Sequence, residues 1–319
     1  MKKVTVLGGS GFVGSSLVAK LDASGYQVTV LTRRREDAKH LILLPKVHVI
    51  ECNLEDRQKL KQLIEGSDVV INLVGILHES GKSTFEQIHH QLPRRIAQLC
   101  VELGIRRLIH MSALQASQSA PSAYLRSKAA GESAINEYSK KLDITIFKPS
   151  IIFGRRDRFF NMFAHIIKLL PVIFLAKPNA KFQPIWVEDV ATCFVNSIEN
   201  TASYDKTYEI GGPEIYTLRQ LVEKVMLILN KPRPIIGLND KLSYLQGMAM
   251  EFLPIKLMSR DNVRSMRVDN VTNQNKAHEL GVSLMPLEAI VPEYLINDTP
   301  RAAYDGFRSA AGRAINAKR

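Results

Sequence analysis

This sequence predicts an α/β protein built on a doubly wound parallel sheet with a smaller mixed C-terminal domain. Three observations carry that expectation. Short β-branched runs alternate with longer helical patterns through the first half of the chain, the runs are nearly continuous in apolar character, and a glycine-rich turn follows the first of them directly. Such strands mark a parallel sheet covered on both faces by helices.

The strand candidates, in order, are VTVL at 4–7, VTVL at 28–31, VHVIE at 47–51, VVINLV at 69–74, RLIHM at 107–111 and ITIFKP at 144–149. Beyond about residue 155 the rhythm changes to longer helices and Pro-punctuated loops, with one more strand-like piece, KTYEIGG, at 206–212. The expected division is a nucleotide-binding domain over 1–155, with a return contribution near 184–212, and a smaller substrate or partner domain over 156–319. Thr217 and Gln220 form a capping pattern that opens the helix LRQLVEKVMLIL.

At the N-terminus, MKKVTVLGGSG places two lysines before an apolar run that stops at Gly8, too short for a signal core, so it reads as a buried first strand. No stretch reaches the roughly 18 apolar residues of a membrane span, so no spanning helix is expected. The nearest, MFAHIIKLLPVIFLAKP at 162–178, is interrupted by His165, Lys168 and Pro171. That segment and YLQGMAMEFLPIKLM at 244–258 read as core stripes, with a docking surface as the alternative.

With 45% hydrophobic and 23% charged residues the 319-residue chain has ordinary globular composition and can bury a large core. Its formal charge of +12 points to an anionic partner: a phosphorylated cofactor, an acidic membrane surface, an acidic protein or nucleic acid. Nucleic acid is not expected, because no recognition helix or aromatic platform accompanies the charge. RAAYDGFRSAAGRAINAKR, at 301–319, reads as a basic tail. Cys52, Cys100 and Cys193 are widely spaced with no CxxC pair, which fits a reducing, cytoplasmic setting.

GGSGFVG is the strongest motif. Gly8 serves the tight turn, Gly11 lets backbone approach a pyrophosphate, and Gly14 lets helix pack on sheet, while Phe12 and Val13 open the helix whose N-terminus meets the phosphate charge. The second strand ends in TRRRED rather than in the acid that would accept from an NAD ribose. Arg33 and Arg34 instead match a 2′-phosphate, so NADP(H) is favoured over NAD(H). A solvated basic turn is the plain alternative. GILHESGKS, at 75–83, is no phosphate loop, because Ile76 stands where that motif needs glycine. His78, His89 and His90 lack metal-ligand spacing and read as solvated or helix-surface residues, so no metal is expected.

SAYLRSKAAGE, at 122–132, sets Tyr124 and Lys128 four positions apart on one helix face. A phenol acting as acid beside an ammonium that lowers its pKa would need that spacing. The same lysine could equally clamp a ribose.

Taken together, GGSGFVG, TRR, NLVG at 72–75, YLRSK, KPSIIFG at 148–154 and PIWVEDVA at 184–191 resemble the atypical branch of the extended short-chain dehydrogenase/reductases, which are Rossmann-fold proteins. AYLRSKAAGE followed by KPSIIFGRRDRFFNMFA is similar to the Rossmann-fold accessory subunit of mitochondrial respiratory complex I and its bacterial relatives. The resemblance covers roughly residues 1–230. It implies that Gly8, Gly11 and Gly14 line the pyrophosphate, Arg33 and Arg34 the adenosine phosphate, and Leu73, Val74 and Gly75 the ribose and nicotinamide side. Asn53, with Leu54 beside it, falls where relatives commonly hold an Asp near adenine. Lys148, Pro149, Ser150 and Ile151 would flank the nicotinamide. Tyr124 and Lys128 match the superfamily's catalytic pair, and the position most like the catalytic Ser or Thr is Ala113, with Ser112 one residue early.

Neighbouring side chains on a strand point opposite ways, which argues against Ser112 as a substitute hydroxyl. Loss of one such donor typically costs about 100- to 1000-fold in rate. Two functions follow. One is a weakly or non-catalytic NADP(H)-binding protein on a respiratory or quinone-related membrane complex, cytoplasmic with a peripheral position at the inner membrane face and contact with anionic lipid. The other is a soluble NADPH-dependent oxidoreductase or epimerase acting on a carbonyl, sugar or isoprenoid-like substrate, with Tyr124 as proton donor.

Overall fold

A computed structural model describes residues 1–81, 83–252 and 258–296. The basic tail at 301–319 and part of the 244–258 stripe lie outside them. Strand β1 (Lys3–Leu7) runs into helix α1 (Phe12–Ala23), followed by β2 (Gln27–Thr32), β3 (Val47–Glu51), α2 (Arg57–Ile64), β4 (Val69–Asn72), α3 (Leu92–Glu102), β5 (Arg107–Met111), α4 (Ala123–Asn136) and β6 (Asp143–Pro149). The chain continues through β7 (Ile152–Phe153), α5 (Phe159–Leu169), β8 (Ile173–Ala176), β9 (Lys181–Phe182), β10 (Ile185–Trp186), α6 (Val187–Ser197) and β11 (Lys206–Ile210). It closes with β12 (Tyr216–Thr217), α7 (Leu218–Ile228), β13 (Ile235–Leu238), α8 (Asp240–Glu251), α9 (Arg260–Ser265) and α10 (Leu287–Leu295).

The main sheet has the order β11-β6-β5-β4-β1-β2-β3 and is parallel throughout. Val6 of β1 pairs with Val30 on one side and Ile71 on the other, so β1 sits where the strand order reverses. A crevice opens at the carboxyl ends of strands at such a switch point. Alternation along the strands divides the apolar residues between two layers. Val4, Val6 and Val30 pack with Leu17 of α1 and Phe194 of α6, whereas Leu7, Val70 and Leu108 pack with Leu60 of α2 and Ile96 of α3.

A further core joins α5, α7 and α10 through Phe160, Phe163, Leu221, Val225 and Val291. The 162–178 stretch thus resolves into an amphipathic helix whose Phe160, Phe163, Ala164 and Ile167 are buried at helical spacing, followed by exposed Leu169 and Leu170 and the short strand β8. No described helix is long and apolar enough to cross a membrane. Thr217 accepts from the Gln220 amide while Gln220 accepts from the Thr217 amide, the reciprocal cap expected for α7.

At the amino end of the sheet, buried Arg107 donates to the carbonyls of Asp143, Ser197 and Ile198 and to the hydroxyls of Thr145 and Ser203. Burial pushes its pKa down to about 10. The guanidinium therefore ties β5, β6 and the end of α6 together without a carboxylate in its bonding set. Arg107→Met is expected to leave those acceptors dry and lower stability by about 2–4 kcal/mol, read as a lowered midpoint in urea unfolding.

Candidate functional site

The turn between β1 and α1 is tight. Gly8 has φ +82°, a value that favours glycine, and the Gly11 amide donates to the Gly8 carbonyl at 3.1 Å. A Cβ on Gly8 would lie 3.1 Å from the Val74 nitrogen, and one on Gly14 would lie 2.3 Å from the Gly8 oxygen. Gly11 caps α1 in an extended conformation with no side-chain bond, which leaves the first-turn amides of the helix for another acceptor. Val13 is buried beneath the turn and Phe12 is partly buried. The Ser10 hydroxyl lies 3.0 Å from that of Thr32, which donates to the Arg34 carbonyl, so the turn is braced against the end of β2.

Arg33 lines an open cavity of ≈ 390 Å³ with Glu51, Cys52 and Asn53, at the carboxyl ends of β2 and β3. Arg34 is exposed and lies 3.8 Å from the Asp37 carboxylate. Leu54 gives its carbonyl to Arg95 at 2.9 Å. Glycine at the turn and open helix amides are the donor set that meets a dinucleotide pyrophosphate, and the basic side chains stand at the end of β2 beside them.

The opposite half of the crevice lies between the segment after β4 and helix α4. Leu73 is buried, and a Cβ on Gly75 would sit 3.2 Å from the Lys128 Nζ and 3.5 Å from the His89 Nε2, so glycine keeps the space over both side chains clear. Lys128 is 3% exposed and donates to the Met111 carbonyl at 3.1 Å. Burial pushes its pKa down to about 8, opposed by the charge of Glu132. Burial raises Tyr124 to about 12, so the phenol is a proton-bearing group at neutral pH. No described residue bonds its hydroxyl.

Ser112 and Ala113 face different surroundings. The Ser112 hydroxyl donates to Glu132, whose other oxygen accepts from Lys148 at 3.4 Å. Ala113 packs in a small apolar cluster with Leu125 and the ring of Tyr124. Lys148 also donates to the Ala116 carbonyl at 3.1 Å. Pro149 accepts from the Leu114 amide, while the Ser150 hydroxyl donates to Asn270 and the Ile151 amide to the Asn270 Oδ1. The sixth-strand residues thus reach the crevice edge, with the side chains of Lys148 and Ser150 engaged inside the protein.

His89 departs from its expected place on a helix surface: it is 2% exposed. Residues Glu86–Gln91 form a π-helical turn ahead of α3, which rotates the ring inward. Its Nε2 accepts from the Ile76 amide at 3.0 Å, so Nδ1 carries the proton and donates to the Ser127 hydroxyl at 2.8 Å. Burial, with the charge of Lys128, pushes its pKa down to about 2. His90 is paired with Glu86 and lies partly exposed.

Two other contributors carry no local signal in the sequence. Asp261 of α9 accepts from the amides of Ala123 and Tyr124, at 2.8 and 2.9 Å, and so anchors the first turn of α4 from 137 residues away. His110, buried beside Asn72, takes its bond on Nδ1 and leaves Nε2 without a partner among the described residues.

A model described as the NAD dependent epimerase/dehydratase family matches residues 4–211. The chain is similar to mitochondrial NADH dehydrogenase (ubiquinone) 1 alpha subcomplex subunit 9 of Arabidopsis thaliana, with 31% identity over 92% of this chain and 77% of that one. Identity to its Mus musculus counterpart is 33%, over 89% and 77%. Among solved structures, the dTDP-glucose 4,6-dehydratase DesIV of Streptomyces venezuelae, bound to NAD and TYD, superimposes with a TM-score of 0.75 over 96% of this chain and 99% of that chain, at 16% identity, a likeness of fold. The chain belongs to the NAD dependent epimerase/dehydratase family, in the branch that includes the 1 alpha subcomplex subunit 9 proteins.

Proposed function

We propose that this protein is an NADP(H)-holding accessory subunit of a respiratory, quinone-related complex, and that it retains the dinucleotide rather than turning it over. The observation that carries the reading is the pairing of Ala113 with Tyr124 while the neighbouring hydroxyl, Ser112, is spent on Glu132. A substrate carbonyl next to Tyr124 would meet a methyl group where a second donor is needed, and such a donor is worth about 100- to 1000-fold in rate. A nicotinamide cofactor bound in this crevice would supply a hydride donor or acceptor.

The chain's own residues do the holding. The α1 amides face the pyrophosphate, Arg33 and Arg34 the 2′-phosphate, and Lys128 the nicotinamide ribose, with Gly75 leaving room above its ammonium. Similarity to the respiratory subunits supports the partner, and exposed Phe174, Ile236, Leu242 and Leu245 offer apolar surface for a peripheral contact.

The test is affinity purification of the tagged chain from its native membranes in mild detergent, then denaturation and mass spectrometry of released nucleotide. Near-stoichiometric NADPH together with respiratory-complex subunits is the expected result. Recovery of an empty chain without those subunits would overturn the reading.

A soluble reductase or epimerase is the second reading, favoured by the hydroxyl of Tyr124, which no described residue bonds, on the helix face that carries Lys128. Under that reading Tyr124→Phe loses turnover of a carbonyl substrate and keeps NADPH affinity. Equal turnover in the variant would remove Tyr124 from the chemistry.

A further inference from the structure

We infer that His89 is the positioning residue for the nicotinamide half of the crevice, a neutral plate that fixes the segment after β4 against the first turns of α4. The inference rests on the dinucleotide reading above. Its first support is the backbone. The π-helical turn brings the His89 carbonyl against α4 so closely that a Cβ on Gly131 would lie 2.0 Å from its oxygen. An ordinary α-helical turn would rotate this side chain by most of a residue's angular step and carry the ring out of the crevice.

The second support is the bonding pattern. The ring accepts from the Ile76 amide on one edge and donates to Ser127 on the other, and Ser127 donates onward to the Tyr124 carbonyl at 2.7 Å. One imidazole therefore spans the two elements that carry Gly75 and the Tyr124–Lys128 pair. The ring also packs in an aromatic trio: Phe85 stacks on it with centroids 5.3 Å apart, and Tyr124 stands roughly perpendicular to it at 5.5 Å and meets Phe85 edge-on at 6.0 Å. The ring cannot also serve as a proton shuttle in this arrangement, because Nε2 is occupied as an acceptor and Nδ1 as a donor. Its role is to hold Gly75 at the distance that keeps the Lys128 ammonium open to a ribose.

The test compares two ligands on the full chain. NADPH engages both halves of the crevice, whereas 2′,5′-ADP engages the adenosine half alone. His89→Phe keeps the stacked ring and removes both bonds. It is expected to weaken NADPH about 10-fold while leaving 2′,5′-ADP within about twofold, since one or two lost hydrogen bonds are at stake. His89→Gln, which retains an acceptor for the Ile76 amide, is expected to recover part of the loss. Unchanged NADPH affinity in His89→Phe, equal weakening of both ligands, or no recovery in His89→Gln would each overturn the inference. Failure of the wild-type chain to bind either ligand would overturn the dinucleotide reading itself, before any variant is made.

Discussion

Replacing Lys128 by methionine is expected to make the unliganded protein more stable and at the same time a poorer binder of NADPH. The ammonium is buried with one carbonyl partner among the described residues, and its pKa falls from the ordinary 10.5 to about 8 because burial disfavours the charge. That displacement corresponds to about 3 kcal/mol spent on keeping the charge inside the fold. The sign follows from proton counting. Between pH 8 and 10.5 the unfolded chain holds a proton on Lys128 that the folded chain has released, so this residue makes stability rise with pH across that window. Below pH 8 both states are charged and the cost is present in full.

Urea unfolding should therefore show Lys128→Met more stable than wild type at pH 7 by up to about 3 kcal/mol, with the gap closing towards pH 10.5. NADPH affinity should drop about 10- to 100-fold, the worth of a charge-assisted hydrogen bond to the ribose. A variant less stable than wild type at pH 7 would mean that Glu132 compensates the ammonium more fully than its position suggests. The pattern is that of a group retained for binding at the expense of folding.

The second large effect is expected at Gly14. An alanine there would place its Cβ 2.3 Å from the Gly8 oxygen and 2.6 Å from the Gly9 Cα, both of them backbone atoms in a turn with no room to yield. Helix α1 must then lift from the sheet, which costs about 3 kcal/mol, the upper end for overpacking. It also displaces the first-turn amides that the proposed function assigns to the pyrophosphate, so NADPH binding should be lost along with the drop in melting temperature. Gly25→Ala is the control. Its φ is +89° but nothing lies within 4 Å, so the cost should be near 1 kcal/mol with affinity unchanged. Comparable losses in the two variants would show that backbone conformation, rather than close packing, dominates at Gly14.

Elements whose signal lies within a few residues were legible in the sequence. VHVIE and RLIHM coincide with β3 and β5, and the other runs fall within two residues of the observed strand ends, because a strand buried on both faces has to be apolar along its length. The run expected at 69–74 stops pairing at Asn72, whose side chain turns to accept from the Val74 amide and ends the ladder. KTYEIGG supplies β11 at the sheet edge, and its two glycines pack where a Cβ would strike Gln183 or the Pro184 carbonyl.

The candidate site divides along the same line. The glycine turn, the arginines after β2 and the Tyr124–Lys128 spacing are local patterns; the structure braces the turn against the end of β2 through Ser10 and Thr32 and sets Gly75 over Lys128. The inward turn of His89 was not legible, because a π-helical insertion is set by the fit of His89 against Gly131 rather than by residue type. Nor was the capping of α4 by Asp261, or the hold of Asn270 on Ser150, since each joins residues more than a hundred positions apart.

By itself, then, the sequence determined the sheet, the glycine turn after β1 and the basic end of β2, all of which follow from backbone hydrogen bonding, apolar period and local turn chemistry. Only the tertiary structure decided what Ser112 and Ala113 do. Strand alternation sends them to different sides, but Glu132 captures one and the Tyr124 ring packs beside the other because α4 lies across the end of β5, and that placement depends on long-range packing no short stretch encodes.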